Sequence, residues 1–167
     1  MGTKGPGWRL LYCKRGQVFR AIEHLERQGV ICLTPTVKIE KIRRGKRATV
    51  TEPLFPNYLF VYFDAEVIHT TTIKSTRGVN YFIQFNTREP DIIPQTLIDE
   101  LMSITEQEYI APETPITGDT VLITEGAFEG IQAIYNEPDG ETRSIILLKI
   151  LNKEVPKILD NKHFIKI

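Results

Sequence analysis

Residues 53–63 read PLFPNYLFVYF, and the apolar run at 58–63 predicts a β-strand. Side chains alternate between the two faces of a strand, so both faces of this one carry large apolar groups. One face holds Tyr58, Phe60 and Tyr62, and the other holds Leu59, Val61 and Phe63. One face can pack on helices of its own domain, whereas the other requires a second layer or a protein partner. The alternative is the core of an ordinary β-sandwich.

Upstream of this strand, the pattern predicts two further strands and a helix. Residues 8–13 (WRLLYC) and 30–33 (VICL) are apolar segments of strand length. Residues 17–28 predict a helix that ends at Gly29, because glycine is favoured just past a helix C-terminus.

Two alternating segments between that helix and the central strand predict a β-hairpin. Residues 37–42 (VKIEKI) and 48–52 (ATVTE) alternate in period two around RRGKR. The tip of the hairpin is basic and contains Arg43, Arg44, Lys46 and Arg47. Further on, residues 78–85 predict a strand and residues 94–104 a helix with Pro94 in its first turn. Together these elements predict an α+β domain with an antiparallel sheet flanked by helices.

A second domain is predicted after a linker rich in proline and acidic residues. We assign residues 8–105 to the N-terminal domain, 106–117 to the linker and 118–167 to the C-terminal domain. Short apolar segments and tight turns in the last part indicate a small β-barrel. The run at 145–155 also has helical spacing, however, so the periodicity leaves strand and helix open there.

The composition excludes several classes of protein. The chain has 167 residues, 41% of them hydrophobic and 25% charged, so it can form one or two cores of ordinary size. No apolar run approaches the ~20 residues of a membrane-spanning helix, and residues 1–7 lack the apolar segment of a signal peptide. Cys13 and Cys32 have no CxxC spacing, so we expect buried thiols and no disulfide or metal site. We expect a cytoplasmic monomer with no cofactor and no membrane contact.

Charge is distributed unevenly along the chain, although 21 basic residues balance 21 acidic ones overall. Residues 1–51 carry 12 basic and 3 acidic side chains, whereas residues 106–167 carry 6 basic and 11 acidic ones. The positive charge at the N-terminal end indicates a polyanionic partner such as nucleic acid. The alternative is a basic face that is merely solvated.

The helix predicted at 17–28 has one basic side. At 100° per residue, its apolar residues fill one side and its basic residues fall on the opposite side. These basic residues are Arg20, His24 and Arg27. Lys14 and Arg15 lead into the same helix. With His24 not counted, Arg77 brings the lysine and arginine contacts to five, which predict a salt-dependence slope of about −3.5 on a single strand. For His24 alone, a solvated surface histidine is the alternative.

The sequence contains no catalytic motif. GxSxG, GxxxxGK[ST], HExxH and a GxGxxG segment after a strand are all absent. Cys13 and His24 could form a nucleophilic pair, but Cys13 lies within a predicted strand, where inert burial is the simpler interpretation. An enzyme is therefore not expected. The three threonines that follow His69 predict a loop or the start of a strand, with hydroxyl groups that can donate to a partner's oxygens.

Several segments, in order, resemble the NusG family. PLFPNYLFV (53–61), TRGV (76–79) and GDTVLITEGAFEGIQAI (118–134) are similar to the hallmarks of its N-terminal NGN domain and C-terminal KOW motif. LLYCKRGQ, EHLERQ, RGKR, VIHTTT and EPDGETRSIILL are similar to its specialised antitermination branch, the RfaH type. Asn57 stands where the family often has glycine, an exchange that suits a positive φ. The resemblance implies a factor that binds RNA polymerase and acts on transcription without making or breaking bonds.

The resemblance also assigns partners to particular residues. It implies that an apolar patch docks on the clamp helices of the polymerase β′ subunit. The patch comprises Phe55, Tyr58, Phe60, Phe85, Ile98 and Leu101. It further implies that a basic face grips single-stranded non-template DNA that carries an ops-type element. This face comprises Lys14, Arg15, Arg20, His24, Arg27, Gln28, Thr76 and Arg77.

A third contact is implied with the gate loop of the polymerase β subunit. It comprises His69, Thr70, Thr71 and Thr72. Contacts on both sides of the DNA channel would hold the polymerase clamp shut, and this would suppress pausing and termination at the operons that carry the element.

The RfaH-type resemblance implies a change of fold in the C-terminal domain. When closed, this domain is an α-helical hairpin that turns near residues 138–140, packs on the NGN domain and is latched by a Glu52–Arg143 ion pair. Four apolar residues then cover the apolar patch: Ile146, Leu147, Leu148 and Leu151. When released, the domain is a five-stranded KOW barrel that recruits a ribosome through a small-subunit protein of the NusE type. Pro156 falls where a long C-terminal helix would continue, and proline disfavours the interior of a helix.

Two other interpretations stay open. A general NusG-like elongation factor would hold the same leucines in a static barrel core without a change of fold. A ribosome-associated KOW protein that binds rRNA would need a basic barrel, but residues 106–167 carry an acidic excess. The charge therefore disfavours the ribosomal interpretation.

Overall fold

The structure is a computed structural model that describes residues 5–85, 89–106, 110–111, 134 and 139–166. In chain order its elements are β1 (Pro6–Cys13), α1 (Val18–Glu26), β2 (Ile31–Leu33), β3 (Thr36–Arg43), β4 (Lys46–Pro53), β5 (Tyr58–Asp64), α2 (Thr70–Lys74), β6 (Val79–Phe82), α3 (Gln95–Glu106), β7 (Ile110–Ala111) and α4 (Gly140–Lys166). The chain forms two compact units. The first comprises Met1–Thr34, Asn57–Gln95 and Leu151–Ile167, and the second comprises Pro35–Pro56 and Thr96–Ile150.

A four-stranded antiparallel sheet organises the first unit, with the strand order β2-β5-β1-β6. Tyr12 of β1 lies opposite Tyr58 of β5, and their rings pack edge to face with centroids 5.0 Å apart. Asn57 precedes β5 with φ 69°, and its carbonyl accepts a 2.7 Å hydrogen bond from the Cys13 N–H. The α+β class with an antiparallel sheet and helices is thereby confirmed for the N-terminal part of the chain.

The core of the first unit joins α1 to one face of this sheet. Val18, Ala21 and Leu25 are the buried residues of α1, as its helical spacing predicts. They share one cluster with three residues of β5, namely Leu59, Val61 and Phe63. Burying each large aliphatic or aromatic side chain contributes about 1.5–3 kcal/mol. The amphipathic helix is therefore fixed with its basic side outward.

Arg9 is fully buried in β1, a placement that the sequence pattern did not predict. Its guanidinium donates hydrogen bonds of 3.1 Å to the carbonyls of Gly5 and Phe63, and it lies 4.6 Å from the centroid of the Phe63 ring. Burial lowers the pKa of Arg9, while nearby Asp64 and Glu89 act in the opposite direction. The backbone carbonyls and the ring together replace the water that the guanidinium loses.

The second unit contains a three-stranded sheet with the order β4-β3-β7. β3 and β4 form the expected hairpin, in register from Thr36 opposite Pro53 to Arg43 opposite Lys46. Its two turn residues, Arg44 and Gly45, have φ 52° and 76°, as a two-residue turn of type I′ requires. β7 pairs in parallel with β3, so the segment interpreted as a linker contains a short strand.

Helix α4 resolves the choice left open for residues 145–155, which are helical. Asp139 precedes the helix, and its carboxylate accepts a 3.0 Å hydrogen bond from the N–H of Glu141 and a 3.3 Å bond from the hydroxyl of Thr142. The helix continues through Pro156 to Lys166, beyond the proline that disfavours it. The remainder of the predicted C-terminal domain, residues 118–133, 135–138 and 167, lies outside the described residues, as does the end of the predicted linker at 112–117.

Three local predictions need correction. The strand predicted at 78–85 is limited to Val79–Phe82. The threonines after His69 form the start of α2, where a loop or a strand start was predicted from their β-branched side chains. The helix predicted at 94–104 begins one residue later and ends two residues later. Among the described residues, no helix combines the length and the apolar character needed to cross a bilayer.

Candidate nucleic-acid interface

An open pocket of about 600 Å³ lies between α1 and α2 in the first unit. Its lining residues are His24, Arg27, Gln28, Thr71, Thr72, Ser75, Thr76 and Arg77. The lining combines cationic, amide and hydroxyl groups, which are the side chains that bind phosphates and base edges. The pocket therefore has the chemistry of a nucleic-acid site.

The pocket unites residues that the sequence had assigned to two separate contacts. Five of its residues come from the predicted DNA-binding face, whereas Thr71 and Thr72 come from the predicted gate-loop contact. Ser75 was not predicted at all. The three remaining cations of the predicted face, Lys14, Arg15 and Arg20, are exposed but do not line the pocket. Arg20 lies on the outward side of α1, as predicted.

A close backbone contact positions the turn that carries Arg77. Gly78 has φ 89°, and a Cβ at this position would come within 2.8 Å of the Gln17 carbonyl and 3.0 Å of the Ala21 nitrogen. The Gly78 carbonyl also accepts a 2.8 Å hydrogen bond from the Lys14 N–H. Glycine is required here because any side chain would push the turn away from α1.

The other wall of the pocket is α2, a helix of five residues that begins after His69. His69 has extended backbone geometry, and its Nδ1 accepts a 3.1 Å hydrogen bond from the Thr71 N–H. The imidazole accepts this bond through the lone pair of Nδ1. The histidine side chain therefore does for this helix what a serine or aspartate cap does elsewhere.

A chain of hydrogen bonds connects α1 with α2 at the base of the pocket. The Gln28 Nε2 donates to the Thr76 hydroxyl over 2.9 Å and to the His24 carbonyl over 3.2 Å. The Thr76 hydroxyl donates in turn to the Thr72 carbonyl over 3.1 Å. Thr76 is only 8% exposed, so its hydroxyl acts within the protein. The two walls of the pocket are thus held at a fixed separation.

The guanidinium of Arg27 already has an anionic neighbour. Its Nη2 lies 2.7 Å from the carboxylate of Glu23, one helical turn earlier. The two side chains are 66% and 61% exposed, and exposed pairs of this kind contribute about 0–1 kcal/mol. A phosphate can therefore replace Glu23 as the partner of Arg27 at small cost.

The residues predicted to dock on the polymerase are largely buried in this structure. Phe55, Phe60, Ile98 and Leu101 are each at most 2% exposed. Tyr58 and Phe85 are partly exposed. Burial raises the pKa of Tyr58, as do the neighbouring Tyr81 and Tyr12 to a smaller extent. These side chains are therefore not available as an open patch in the state described.

The predicted ion pair between Glu52 and Arg143 is present in the second unit. The Arg143 Nη2 lies 2.8 Å from the Glu52 carboxylate and 3.2 Å from the Pro53 carbonyl. Its Nε donates a 2.9 Å hydrogen bond to the Leu54 carbonyl. Arg143 is only 1% exposed, whereas Glu52 is 22% exposed, so the pair is partly shielded from water and from salt.

The four apolar residues assigned to the cover have mixed burial. Leu147 and Leu151 are 2% and 1% exposed, whereas Ile146 and Leu148 are partly exposed. The burial of residues four apart indicates one apolar side of α4.

The two cysteines were both predicted to be buried thiols, and this prediction needs correction for Cys32. Cys13 is buried and Cys32 is half-buried, and both are free thiols. Burial raises the pKa of Cys13 to about 11, and burial followed by Glu26 and Cys13 raises that of Cys32 to about 12. Thiols of this kind are poor nucleophiles at neutral pH. In the part of the chain that is described, no cluster of three acidic, histidine or cysteine side chains could hold a metal ion.

Comparison with known proteins gives matches to one protein family. The family model described as "Transcription termination factor nusG" matches residues 6–102. The "Transcription termination/antitermination protein NusG" of Deinococcus radiodurans is 26% identical over 132 residues, 70% of each chain. Its namesake from Helicobacter pylori is 27% identical over 162 residues, 85% of this chain and 91% of that one.

Other matches cover a smaller part of the related protein. The protein of the same name from Streptomyces coelicolor is 24% identical over 181 residues, which span 90% of this chain and 60% of that one. A solved structure titled "Domain interaction in Thermotoga maritima NusG" is 18% identical, with a TM-score of 0.44 over 62% of this chain and 59% of that one.

Proposed function

Because this chain belongs to the NusG family, we propose that it is a transcription elongation and antitermination factor that grips single-stranded DNA beside α1 and α2 while bound to RNA polymerase. The observation that carries the proposal is the pocket, in which His24, Arg27 and Arg77 meet the hydroxyls of α2. The adjacent exposed cations extend this surface along the path of a phosphate backbone.

Salt dependence tests the DNA part of the proposal. Five cationic contacts predict a slope of about −3.5 for the logarithm of affinity against the logarithm of salt concentration. The measurement is fluorescence anisotropy of a labelled single strand with the full chain. Arg20→Ala removes one exposed cation and should reduce the slope by about 0.7. A slope near zero would show that the basic face does not bind phosphates.

The polymerase contact is proposed for the apolar patch, on the clamp helices of the β′ subunit. The resemblance to RfaH-type proteins and the aromatic character of Phe55, Tyr58 and Phe60 support this assignment. Pull-down of RNA polymerase with wild type and with Tyr58→Ala tests it. Recovery of the polymerase should fall with the variant, and recovery of ribosomes in place of polymerase would favour the rRNA-binding alternative.

A gate-loop contact of the β subunit is proposed for the exposed side of α2, which contains His69 and the threonines after it. Thr71 and Thr72 also line the pocket, so the two proposed contacts share one helix. A substitution in this helix should therefore affect both DNA binding and suppression of pausing.

We further propose the change of fold and the domain bounds 8–105, 106–117 and 118–167. In the closed state, the helical C-terminal domain covers the apolar patch and the Glu52–Arg143 pair latches it. Near-complete burial of Leu147, Phe55 and Leu101, all within the second unit, supports this arrangement. Moving from 1% to 99% open requires DNA and polymerase together to favour the open form by about 5.5 kcal/mol.

Circular dichroism tests the change of fold. The isolated fragment 112–167 should show a β-barrel spectrum, whereas the full chain should show excess helix. If residues 112–167 have the same helix content alone as within the full chain, the proposed change of fold is wrong. The released barrel is proposed to recruit a ribosome through a NusE-type small-subunit protein.

A paused elongation complex tests whether the factor is operon-specific. Binding to a complex with an ops-type non-template strand is compared with binding to a scrambled one. Tighter binding to the former is expected. Equal affinity would favour the second candidate, a general NusG-like elongation factor. The names of the relatives support this candidate.

A further inference from the structure

We propose that the outer edge of β4 pairs with the same edge of a second copy of this chain, as two antiparallel strands centred on Thr49. The proposal goes beyond the proposed function and does not depend on it. It follows from the direction in which the backbone groups of β4 point and from the charges along the strand.

Strand β4 lies at the edge of its three-stranded sheet, which has the order β4-β3-β7. Among the residues that the structure describes, no strand pairs with its outer side. The side chains of Lys46, Arg47, Ala48, Thr49 and Thr51 are exposed. An open strand edge of this length presents backbone N–H and C=O groups on which another chain can pair.

The turn of the hairpin determines which backbone groups of β4 point outward. In a two-residue hairpin, the residues that flank the turn form a hydrogen-bonded pair, and here these are Arg43 and Lys46. The direction alternates along a strand, so the N–H and C=O groups of residues 46, 48, 50 and 52 point to β3. Those of residues 47, 49 and 51 point outward.

Two hydrogen bonds at the end of the hairpin agree with this alternation. Leu54 continues the inward series, and its N–H donates to the Pro35 carbonyl over 2.8 Å. Pro53 continues the outward series, and its carbonyl accepts from the Arg143 Nη2 over 3.2 Å. Proline has no N–H, so an outward position on an edge strand costs the sheet no hydrogen bond. The open part of the edge is therefore residues 47–51.

Twofold symmetry restricts the register in which two copies can pair. The numbers of two opposed residues must have an even sum, since otherwise their side chains would point to opposite faces of the joined sheet. A pair centred on Thr49 meets this condition and places Arg47 of each copy opposite Thr51 of the other. All three outward residues then face outward residues, which gives about six hydrogen bonds between the copies.

The charges along β4 favour the same register. With Thr49 opposite its counterpart, Lys46 of each copy lies opposite Glu52 of the other, and the uncharged Ala48 and Val50 face each other. Opposite charges directly across a strand pair are stabilising. Glu52 keeps 22% of its side chain exposed, so a second cation can reach it. A pair centred on Val50 would oppose Glu52 to Ala48 and lose this match.

The contact is small, so the association should be weak. One strand pair of this length buries less than the roughly 1,200 Å² of a stable interface. We expect a dissociation constant of the order of 0.1–1 mM. The monomer predicted from the sequence is then the main species at lower concentration.

Sedimentation equilibrium of the full chain measures the association, and hydrogen exchange of single amides by NMR locates it. Between about 0.02 and 1 mM protein, the weight-average mass should rise about 1.5-fold. Over the same range the outward amides of Arg47, Thr49 and Thr51 should exchange about two- to fourfold more slowly, because they are protected only in the pair. The inward amides of Ala48 and Val50, which bond to β3, should keep their rates.

Substitutions at the centre of the pair test the register. Thr49→Lys places two like charges directly opposite each other and should abolish the rise in mass. Thr49→Pro removes the outward N–H without removing a bond to β3 and should do the same. Thr49→Val keeps a strand-forming residue and should retain the association. Thr36→Lys makes the same charge change at an exposed position of β3 and is the matched control. Thermal unfolding shows that each variant is folded.

Three results would overturn the proposal. One is a constant mass up to about 1 mM protein. Another is a rise in mass that leaves the outward amides unprotected, because the copies would then meet at a different surface. The third is a rise that persists in both Thr49→Lys and Thr49→Pro. Each of these results leaves the proposed binding of DNA and polymerase untouched, since neither uses the outer edge of β4.

Discussion

Two ion pairs among the described residues have almost the same length and opposite surroundings. Arg27 and Glu23 lie 2.7 Å apart with both side chains more than half exposed. Arg143 and Glu52 lie 2.8 Å apart with the arginine almost completely buried. The comparison shows that distance alone does not determine what an ion pair contributes, because burial decides how much water and salt can replace either partner.

The difference suits the proposed role of each region. The pocket region has a weak pair whose arginine can exchange a carboxylate for a phosphate. The region around β4 and the start of α4 has a pair whose separation leaves a charge without water, which typically costs about 3–5 kcal/mol. The exposed pair suits the region proposed to accept a ligand, and the buried pair suits the region proposed to open only at a large cost in free energy.

The largest effect is expected from breaking the buried pair. Glu52→Ala leaves the Arg143 guanidinium buried without its carboxylate, and Arg143→Ala removes the bonds to Leu54 and Pro53 as well. Each should destabilise the helical form by about 3 kcal/mol. Amide NMR should show loss of helical shifts from residues 140–151. Lys149→Ala, an exposed change on the same helix, is the control. Unchanged helical shifts in both variants would contradict the latch.

The second effect tests whether the pocket depends on close backbone packing. Gly78→Ala places a Cβ 2.8 Å from the Gln17 carbonyl at a φ of 89°. We expect a loss of about 2 kcal/mol in the free energy of unfolding and weaker DNA binding, since Arg77 moves away from α1. Gly16→Ala is the matched control, because Gly16 also has positive φ but a Cβ added there would meet no atom within 4 Å. Equal losses in both variants would show that the contact with α1 is unimportant.

A smaller effect is expected from the exposed pair. Glu23→Gln should change the free energy of unfolding by less than about 0.5 kcal/mol. It should nevertheless increase affinity for single-stranded DNA about threefold, since Arg27 loses its competing carboxylate and one negative charge is removed. Glu26→Gln makes the same charge change on the same helix and should increase affinity less. An affinity equal to wild type would show that Arg27 does not contact phosphate.

The smallest effect is expected from salt on the buried pair. Between about 0.05 and 0.5 M salt, the helical amide shifts of residues 140–151 should stay constant, because a buried pair is screened little. DNA binding at the pocket should weaken strongly over the same range. If the helical shifts disappear at high salt, the Glu52–Arg143 pair is more open to solvent than the 22% and 1% exposure of its two side chains indicates.

Much of the first unit was predictable from the sequence, because period and burial agree there. The helical spacing in 17–28 defined one apolar side, the strand at 58–63 was apolar on both faces, and one of those faces meets the helix in the core. The basic side of α1 followed directly from the same geometry. The family resemblance also predicted the Glu52–Arg143 pair, which no local pattern indicates.

The details of the pocket were not predictable from local pattern. Three consecutive threonines favour strand over helix, and the cap that reverses this preference is a histidine nitrogen that contacts the Thr71 N–H. The burial of Thr76 and the inclusion of Ser75 depend on how the turn before Gly78 packs on α1. The buried Arg9 likewise depends on carbonyls contributed by Gly5 and Phe63. Such groupings arise only when distant segments meet.

The course of α4 through Pro156 has a consequence for the lifetime of the helical form. A proline inside a helix removes one backbone donor and crowds the preceding turn, at a cost of about 3 kcal/mol. Unwinding of α4 is therefore expected to begin near Pro156. We expect the helix to unwind first around Pro156 and last around Arg143, where the ion pair with Glu52 holds its first turns.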